Sequence, residues 1–145
     1  MQILFIILLI TSNSSFSQEL IMVRVKQSFP ETMSTLQTAI KQTGYTISRV
    51  QRVDIGLTKS GYKTDKYRVV FYGKEKEISL LTEKDSDIAA FLPLKISIFA
   101  ENNDTIIVSN NPLTMQSYFN NIPKKHFIQW EKDVHKIFQL TSIIE

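Results

Sequence analysis

The chain has 145 residues, with 17 Lys and Arg against 14 Asp and Glu, a net charge of +3 and no cysteine. The missing cysteine excludes disulfides, thiolate zinc sites, cysteine nucleophiles, covalently attached c-type haem and the lipid-bearing cysteine of a lipoprotein. The positive excess is small and scattered, and Lys74-Glu75-Lys76-Glu77 alternates in sign, so a solvated surface accounts for it and no nucleic-acid partner is expected.

In chain order, the first signal is an unbroken apolar run, Ile3 to Ile10, followed by the polar Thr11-Ser12-Asn13-Ser14-Ser15 and then Phe16-Ser17-Gln18. Small Ser15 and Ser17 stand at the −3 and −1 positions of a cut after Ser17, the layout of a secretory signal peptide. The run is shorter than the roughly twenty apolar residues a membrane-spanning helix needs. Met1-Gln2 supplies only the terminal amine as positive charge, so an uncleaved amphipathic or membrane anchor is the alternative. Residues 1–17 carry no charged side chain, so the mature chain keeps its +3. The expectation is a signal peptide over 1–17 and a single domain over 18–145. That domain is periplasmic or secreted, with no stable membrane insertion after cleavage. A chain of this size buries roughly two-thirds of its unfolded surface and needs no staples.

Glu19 to Gln27 reads as a β-branched-rich strand. Ser28-Phe29-Pro30-Glu31 has the form of a capping box: Ser28 accepts from the Glu31 amide and Glu31 reaches back to the cap. Pro30 is tolerated in the first turn, where its missing N–H has no partner anyway. Phe29, Met33, Leu36 and Ile40 recur at helical spacing and make one buried face. Gly44 closes the helix as a left-handed cap. Tyr45 to Val53 is the second strand, with Tyr45, Ile47 and Arg49 on one side.

Asp54 to Asp65 is a polar loop or short turn of helix, and Lys66 to Tyr72 is a strand centred on Val69-Val70-Phe71. Glu75 to Lys84 reads as a short helix with Ile78 and Leu81 on one face, ended by an Asp85-Ser86-Asp87 turn or cap. Leu94 to Ala100 and Thr105 to Ser109 form a β-hairpin around Glu101-Asn102-Asn103-Asp104, whose residues tolerate left-handed geometry. Leu113 to Asn120 is a short helical piece. From Pro123 onward, Phe127, Trp130, Val134, Ile137 and Thr141 define a long amphipathic helix laid on the sheet. Its polar face (Gln129, Glu131, Lys132, Asp133, Lys136) is mixed in sign, which argues against a lipid surface.

The expected architecture is α+β: a mainly antiparallel sheet of about five strands with two main helices packed on one face, in the order β-α-β-β-β-β-α.

Chemistry-bearing patterns are sparse. His126 and His135 stand nine residues apart in one helix and point to opposite faces, so they cannot share a metal in a monomer. No phosphate loop, dinucleotide fingerprint, nucleophile elbow or H-E-x-x-H is present, and no cofactor or metal is expected. Phe71, Tyr72, Phe91, Phe99, Phe119, Phe127 and Trp130 are core by default and the lining of a small apolar ligand cavity otherwise.

From Val23 to Phe119, and more loosely to the end, the chain resembles the Domain of Unknown Function 302 family. The residues that carry the resemblance are Ser28-Phe29-x-Glu31-Thr32 with Gly44, Phe71-Tyr72-Gly73, Leu92-Pro93-Leu94-Lys95-Ile96 and Asn110-Asn111-Pro112. Of these, the Leu-Pro-Leu-Lys segment is the most specific. Three positions depart from the family pattern: Asp54-Ile55 stands where many members have Asp-His, Gly73-Lys74-Glu75 replaces Gly-Asn-Pro, and Asn111 replaces an Asp. The resemblance implies a compact α+β fold and often a homodimer, and it implies no established activity. Asp54, Arg68, Lys95 and Asn111 fall at motif positions and are the candidate ligand-binding residues.

The reading is therefore an exported, non-catalytic domain that binds a ligand or partner, or self-associates through sheet edges or the last helix. The alternative is an enzyme of unrecognised type whose polar site gathers those four residues in one cleft.

Overall fold

The computed structural model describes residues 19–143, so the expected signal peptide lies outside the described residues. Five strands form one sheet: β1 (Leu20–Val25), β2 (Thr46–Arg52), β3 (Tyr67–Gly73), β4 (Leu94–Glu101) and β5 (Asp104–Asn110). Their spatial order is β1-β5-β4-β3-β2, and every pair is antiparallel. The helices are α1 (Phe29–Gln42), α2 (Val53–Lys59), α3 (Glu75–Lys84) and α4 (Lys124–Ser142), with 3₁₀ turns at Ser86–Ala90 and Pro112–Tyr118. The α+β class, the five antiparallel strands and the two long helices on one face are as the sequence predicts. The short helices α2 and α3 fill the connections on either side of β3.

β1 and β2 are sequence neighbours yet occupy opposite edges, so α1 must cross the sheet between them. Its start is held by the Glu31 carboxylate, which accepts from the backbone N–H of Ser28 at 3.2 Å and from its hydroxyl at 2.7 Å. Those two donors hold the Glu31 carboxyl below its ordinary value. Past the end of α1, Gly44 has φ +88°, a conformation only glycine adopts without strain. Phe29, Leu36 and Ile40 are buried as predicted, joined by Thr32 and Ala39, while Met33 sits at the rim.

The core lies between the helices and the inward side chains of the sheet. Ile21 and Val25 from β1, Val70 and Tyr72 from β3, Leu94, Ile96 and Ile98 from β4, and Ile107 from β5 meet Leu36 and Ile40 of α1 and Phe127, Trp130, Val134, Ile137 and Phe138 of α4. Each fully buried aliphatic side chain here contributes about 1.5–3 kcal/mol relative to exposure. Leu81 of α3 and Ile88 of the 3₁₀ turn close the same core from the side.

Two expectations about facing are corrected. Arg49 does not share a side with Tyr45 and Ile47. The ladder between β2 and β3 slips at Ser48, pairing Ile47 with Tyr72 and Arg49 with Phe71, and this extra residue turns Arg49 to the other face. Asp133 does not belong to the solvated face of α4. It is 8% exposed, because its position lies at the edge of the buried face, one turn from Trp130 and Ile137. No helix among the described residues is long and apolar enough to cross a membrane.

Candidate functional site

Three places are occupied by the four residues singled out from the sequence. The first joins Asp54 and Arg68. Arg68 lies on the helix-facing side of β3, donates to the Asp54 carboxylate at the start of α2 and to the Tyr67 carbonyl at 3.0 Å, and sits 5.7 Å from the centre of the Phe29 ring. The Arg68 hydrogen bond holds the Asp54 carboxyl below its ordinary value. The pair clamps α2 to β3 over the start of α1.

Asn111 occupies the second place. It is buried, with its side-chain oxygen accepting from the Leu113 N–H at 2.9 Å and its amide donating to Glu131 of α4 at 2.9 Å. Its backbone N–H donates to the Glu19 carbonyl at 2.8 Å and its carbonyl accepts from the Thr114 hydroxyl at 2.7 Å. The Asn111 amide supplies the donor that Glu131 accepts. A carboxylate there would face a like charge.

Lys95 is alone in the third place. It is exposed on the side of the sheet away from α1 and α4, beside a hollow of about 110 Å³ that Phe91, Ser109, Pro112 and Met115 help to line. It has no ion-pair partner among the described residues. Asp54 and Arg68 are thus brought together, and Lys95 and Asn111 are not.

A polar seam that the sequence reading missed runs between α3, α4 and the start of β2. The Tyr45 hydroxyl donates to Asp133 at 2.6 Å, and Gln129 donates to the other carboxylate oxygen at 2.9 Å. Tyr72 crosses Tyr45 edge-on at 5.1 Å between ring centres, and its buried hydroxyl has no hydrogen-bond partner among the described residues. Lys74 lies 4.5 Å from the centre of the Tyr45 ring. Nearby, Glu77 holds the Nδ1 of His126 at 2.9 Å and accepts from the Trp130 indole at 3.3 Å. Burial pushes both the Tyr45 and Tyr72 hydroxyls well above the ordinary tyrosine value, and the hydrogen bond to Asp133 adds to the shift of Tyr45. The available signal was Asp133, an acid three residues after Trp130 and four before Ile137. Among the described residues, no group of three or more His, Asp or Glu is placed to hold a metal.

The buried Phe127 and Trp130 are packed in the core, while Phe119 also borders, with Phe91, an open hollow of about 470 Å³. Phe119 stacks on Phe127 at 6.2 Å, and Phe127 meets Trp130 edge-on at 5.2 Å. Phe71 and Phe99 are not in this layer at all: they lie on the opposite side of the sheet.

That opposite side mixes apolar with polar and charged side chains in ordered rows. The ladders align its residues in rows across the strands: Leu20, Asn110, Lys95, Phe71 and Arg49; then Met22, Val108, Ser97, Val69 and Gln51; then Arg24, Ile106, Phe99 and Tyr67; and, at the hairpin end, Asp104 and Glu101. Met22 is 62% exposed. Ile106 is buried by its row neighbours yet is not part of the core cluster, and neither are Tyr67, Val69, Phe71, Phe99 and Val108. Tyr67 and Phe99 cross edge-on at 5.9 Å. Arg24 pairs with Glu101, and with Asp104 at 3.3 Å. At the other end, an open cleft of about 510 Å³ is lined by Thr46, Ser48, Gly73, Glu75, Ile78, Ser79 and Pro93. A Cβ on Gly73 would stand 2.5 Å from Ile78 Cδ1, the tip of a side chain that would have to turn aside.

The family whose model matches the chain, over residues 21–139, is described as domain of unknown function DUF302. A crystal structure of an uncharacterized conserved protein DUF302 from Bacillus stearothermophilus is similar in fold, with a TM-score of 0.76 at 20% identity, covering 86% of this chain and 99% of that one. No curated protein matches the sequence.

Two measurements check this geometry. Asn111→Asp should lose about 1–3 kcal/mol of stability in denaturant melts, because a buried donor becomes a second carboxylate facing Glu131. A variant as stable as the parent would refute the account of Asn111. In an alkaline spectrophotometric titration, two of the five tyrosines should stay un-ionised until the chain unfolds. Their folded-state values lie above the unfolded value of about 10, so their contribution to stability is complete below that pH and lost as pH rises beyond it.

Proposed function

The chain belongs to the DUF302 family, and we propose that it is an exported, non-catalytic binding domain that works by associating with a second copy of itself through the open face of its sheet. The observation that carries this reading is the sheet face on which Met22 is exposed and Val108, Val69, Phe71, Phe99 and Tyr67 are half-buried, with no helix of the described residues packed over them. Contiguous exposed apolar surface on a sheet marks an interaction site. Export rests on the leader over residues 1–17, which leaves residues 18–145 as the working domain, periplasmic or secreted.

Sheet edges are poorer candidates for a homodimer. β2 carries the Ser48 irregularity with Arg49 and Arg52, and β1 carries Arg24, devices that discourage strand pairing. The last helix directs its apolar residues into the core and is also a poorer candidate. The enzyme alternative needs Asp54, Arg68, Lys95 and Asn111 in one cleft, and they stand in three places, each of the first two pairs of contacts having a structural role.

Light scattering on the exported protein should give the mass of a dimer, and mass spectrometry on the same sample should give an N-terminus at Gln18. Val108→Lys should convert it to a monomer with an unchanged far-ultraviolet circular dichroism spectrum and a melting temperature that no longer rises with protein concentration. A parent protein that stays monomeric at high concentration sinks the reading.

A second reading is favoured by the cleft at Gly73, Ile78 and Pro93, whose apolar lining and size suit a small apolar ligand. Ile78→Glu should abolish any thermal shift produced by a panel of such ligands. A panel that leaves the parent's melting temperature unmoved removes this reading.

A further inference from the structure

The rows of the open face differ in side-chain size and in charge, and from that difference we infer how the second copy sits. The two sheets pack face to face with their strands antiparallel, about a two-fold axis that runs across the strands between the Ser97 row and the Phe99 row. This inference rests on the self-association proposed above.

Such an axis lays each strand over its own reversed copy. The small side chains of one row, Val108, Ser97 and Val69, then lie on the partner's Ile106, the partner's Phe99 and the partner's Tyr67. Packed sheets stand about 10 Å apart and need their inner side chains to interdigitate. Small against large satisfies that need on the adjacent strands β4 and β3, where the half-buried Phe99 and Tyr67 stand out from the face, while Ile106 lies flush within it. The same axis carries the next row outward, so Lys95 and Asn110 reach the partner's Glu101 and the partner's Asp104. Lys95 has no ion-pair partner among the described residues, and the Glu101 side chain keeps 46% of its surface exposed beside Arg24. The cationic end of one face therefore meets the acidic hairpin of the other, on both sides of the axis.

The competing two-fold runs along the strands through β4. It sets Lys95 on the partner's Lys95 and Phe99 on the partner's Phe99, a like-charge contact and a large-on-large contact together. Complementary charge across an interface fixes register, and like-charge contacts suppress wrong arrangements.

Sedimentation equilibrium of the exported protein tests the arrangement. Lys95→Glu should weaken the dimer about tenfold, in line with the loss of an interfacial charge pair and its replacement by repulsion. Combining Lys95→Glu with Glu101→Lys should restore the parent affinity, and Ser97→Trp, which fills the shallow row, should leave a monomer. Melting temperature and far-ultraviolet circular dichroism confirm that each variant folds. A dimer that Val108→Lys breaks but that ignores both charge changes overturns this arrangement while leaving the open-face reading intact. A dimer indifferent to every change on the face overturns both, as does a monomeric parent. So does an unprocessed chain whose own residues 1–17 protect Met22 and Val108 from solvent.

Discussion

The packing of α1 and α4 on the inward side chains of β3, β4 and β5 is the contact from which the remaining features follow. Val70, Tyr72, Ile96, Ile98 and Ile107 are fully buried under these helices, and each has a strand neighbour in register that repeats the same facing. A side-chain period of two then compels the intervening residues to the other side. Both long helices are spent on one face, since α1 must span the distance between the edge strands β1 and β2 and α4 lies beside it. The short helices α2 and α3 sit at the two ends of β3. The open face is thus a consequence of connectivity, and its apolar composition is a separate fact that connectivity does not require.

Within the covered side, the polar seam sets where α3 and α4 meet the sheet. A buried carboxylate is costly unless it is hydrogen-bonded, and Asp133 is held by Tyr45 and Gln129. Glu77 ties His126 and Trp130 to α3 in the same region. Apolar contacts tolerate small slides, whereas these paired donors and acceptors do not. The seam therefore fixes the register of α4 more tightly than the aromatic stack beside it. The unpartnered Tyr72 hydroxyl is the cost of placing an aromatic ring of that size at the centre of the layer.

The first helix and the hairpin were legible in the sequence because their signals are local. Ser28, Glu31 and Gly44 mark the ends of α1, and Asn102 takes the left-handed conformation, φ +55°, at the hairpin turn. The facing of Arg49 was not legible, because a one-residue slip at Ser48 depends on the partner strand. Asp133 was misassigned because its chemical type outweighed its angular position. Of the four motif residues, proximity of Asp54 to Arg68 required the return of β3 alongside β2, which no spacing in the sequence reports. Asn111 was picked out for its motif, while its actual partner, Glu131, is supplied by a helix twenty residues later.

The open face was written in the sequence in a form that local periodicity cannot decode. Val69-Val70-Phe71 and Ile106-Ile107-Val108 are continuous apolar runs, where a half-solvated antiparallel strand shows alternation. Such runs signal a strand buried on both faces, and the described residues supply long helices for one face only. Strands with no preferred solvent side are also weakly specified in register, since a slip by one residue exchanges one apolar set for another. The inward set resolves the ambiguity by its contacts with α1 and α4, and the irregularity at Ser48 pins β2 against β3. What remains is a second apolar surface on a molecule whose edges are guarded by arginines and a bulge. A chain with unprotected edges and a polar face would associate by adding strands. With the edges blocked and apolar side chains on the face, the proposed association falls on the broad side of the sheet.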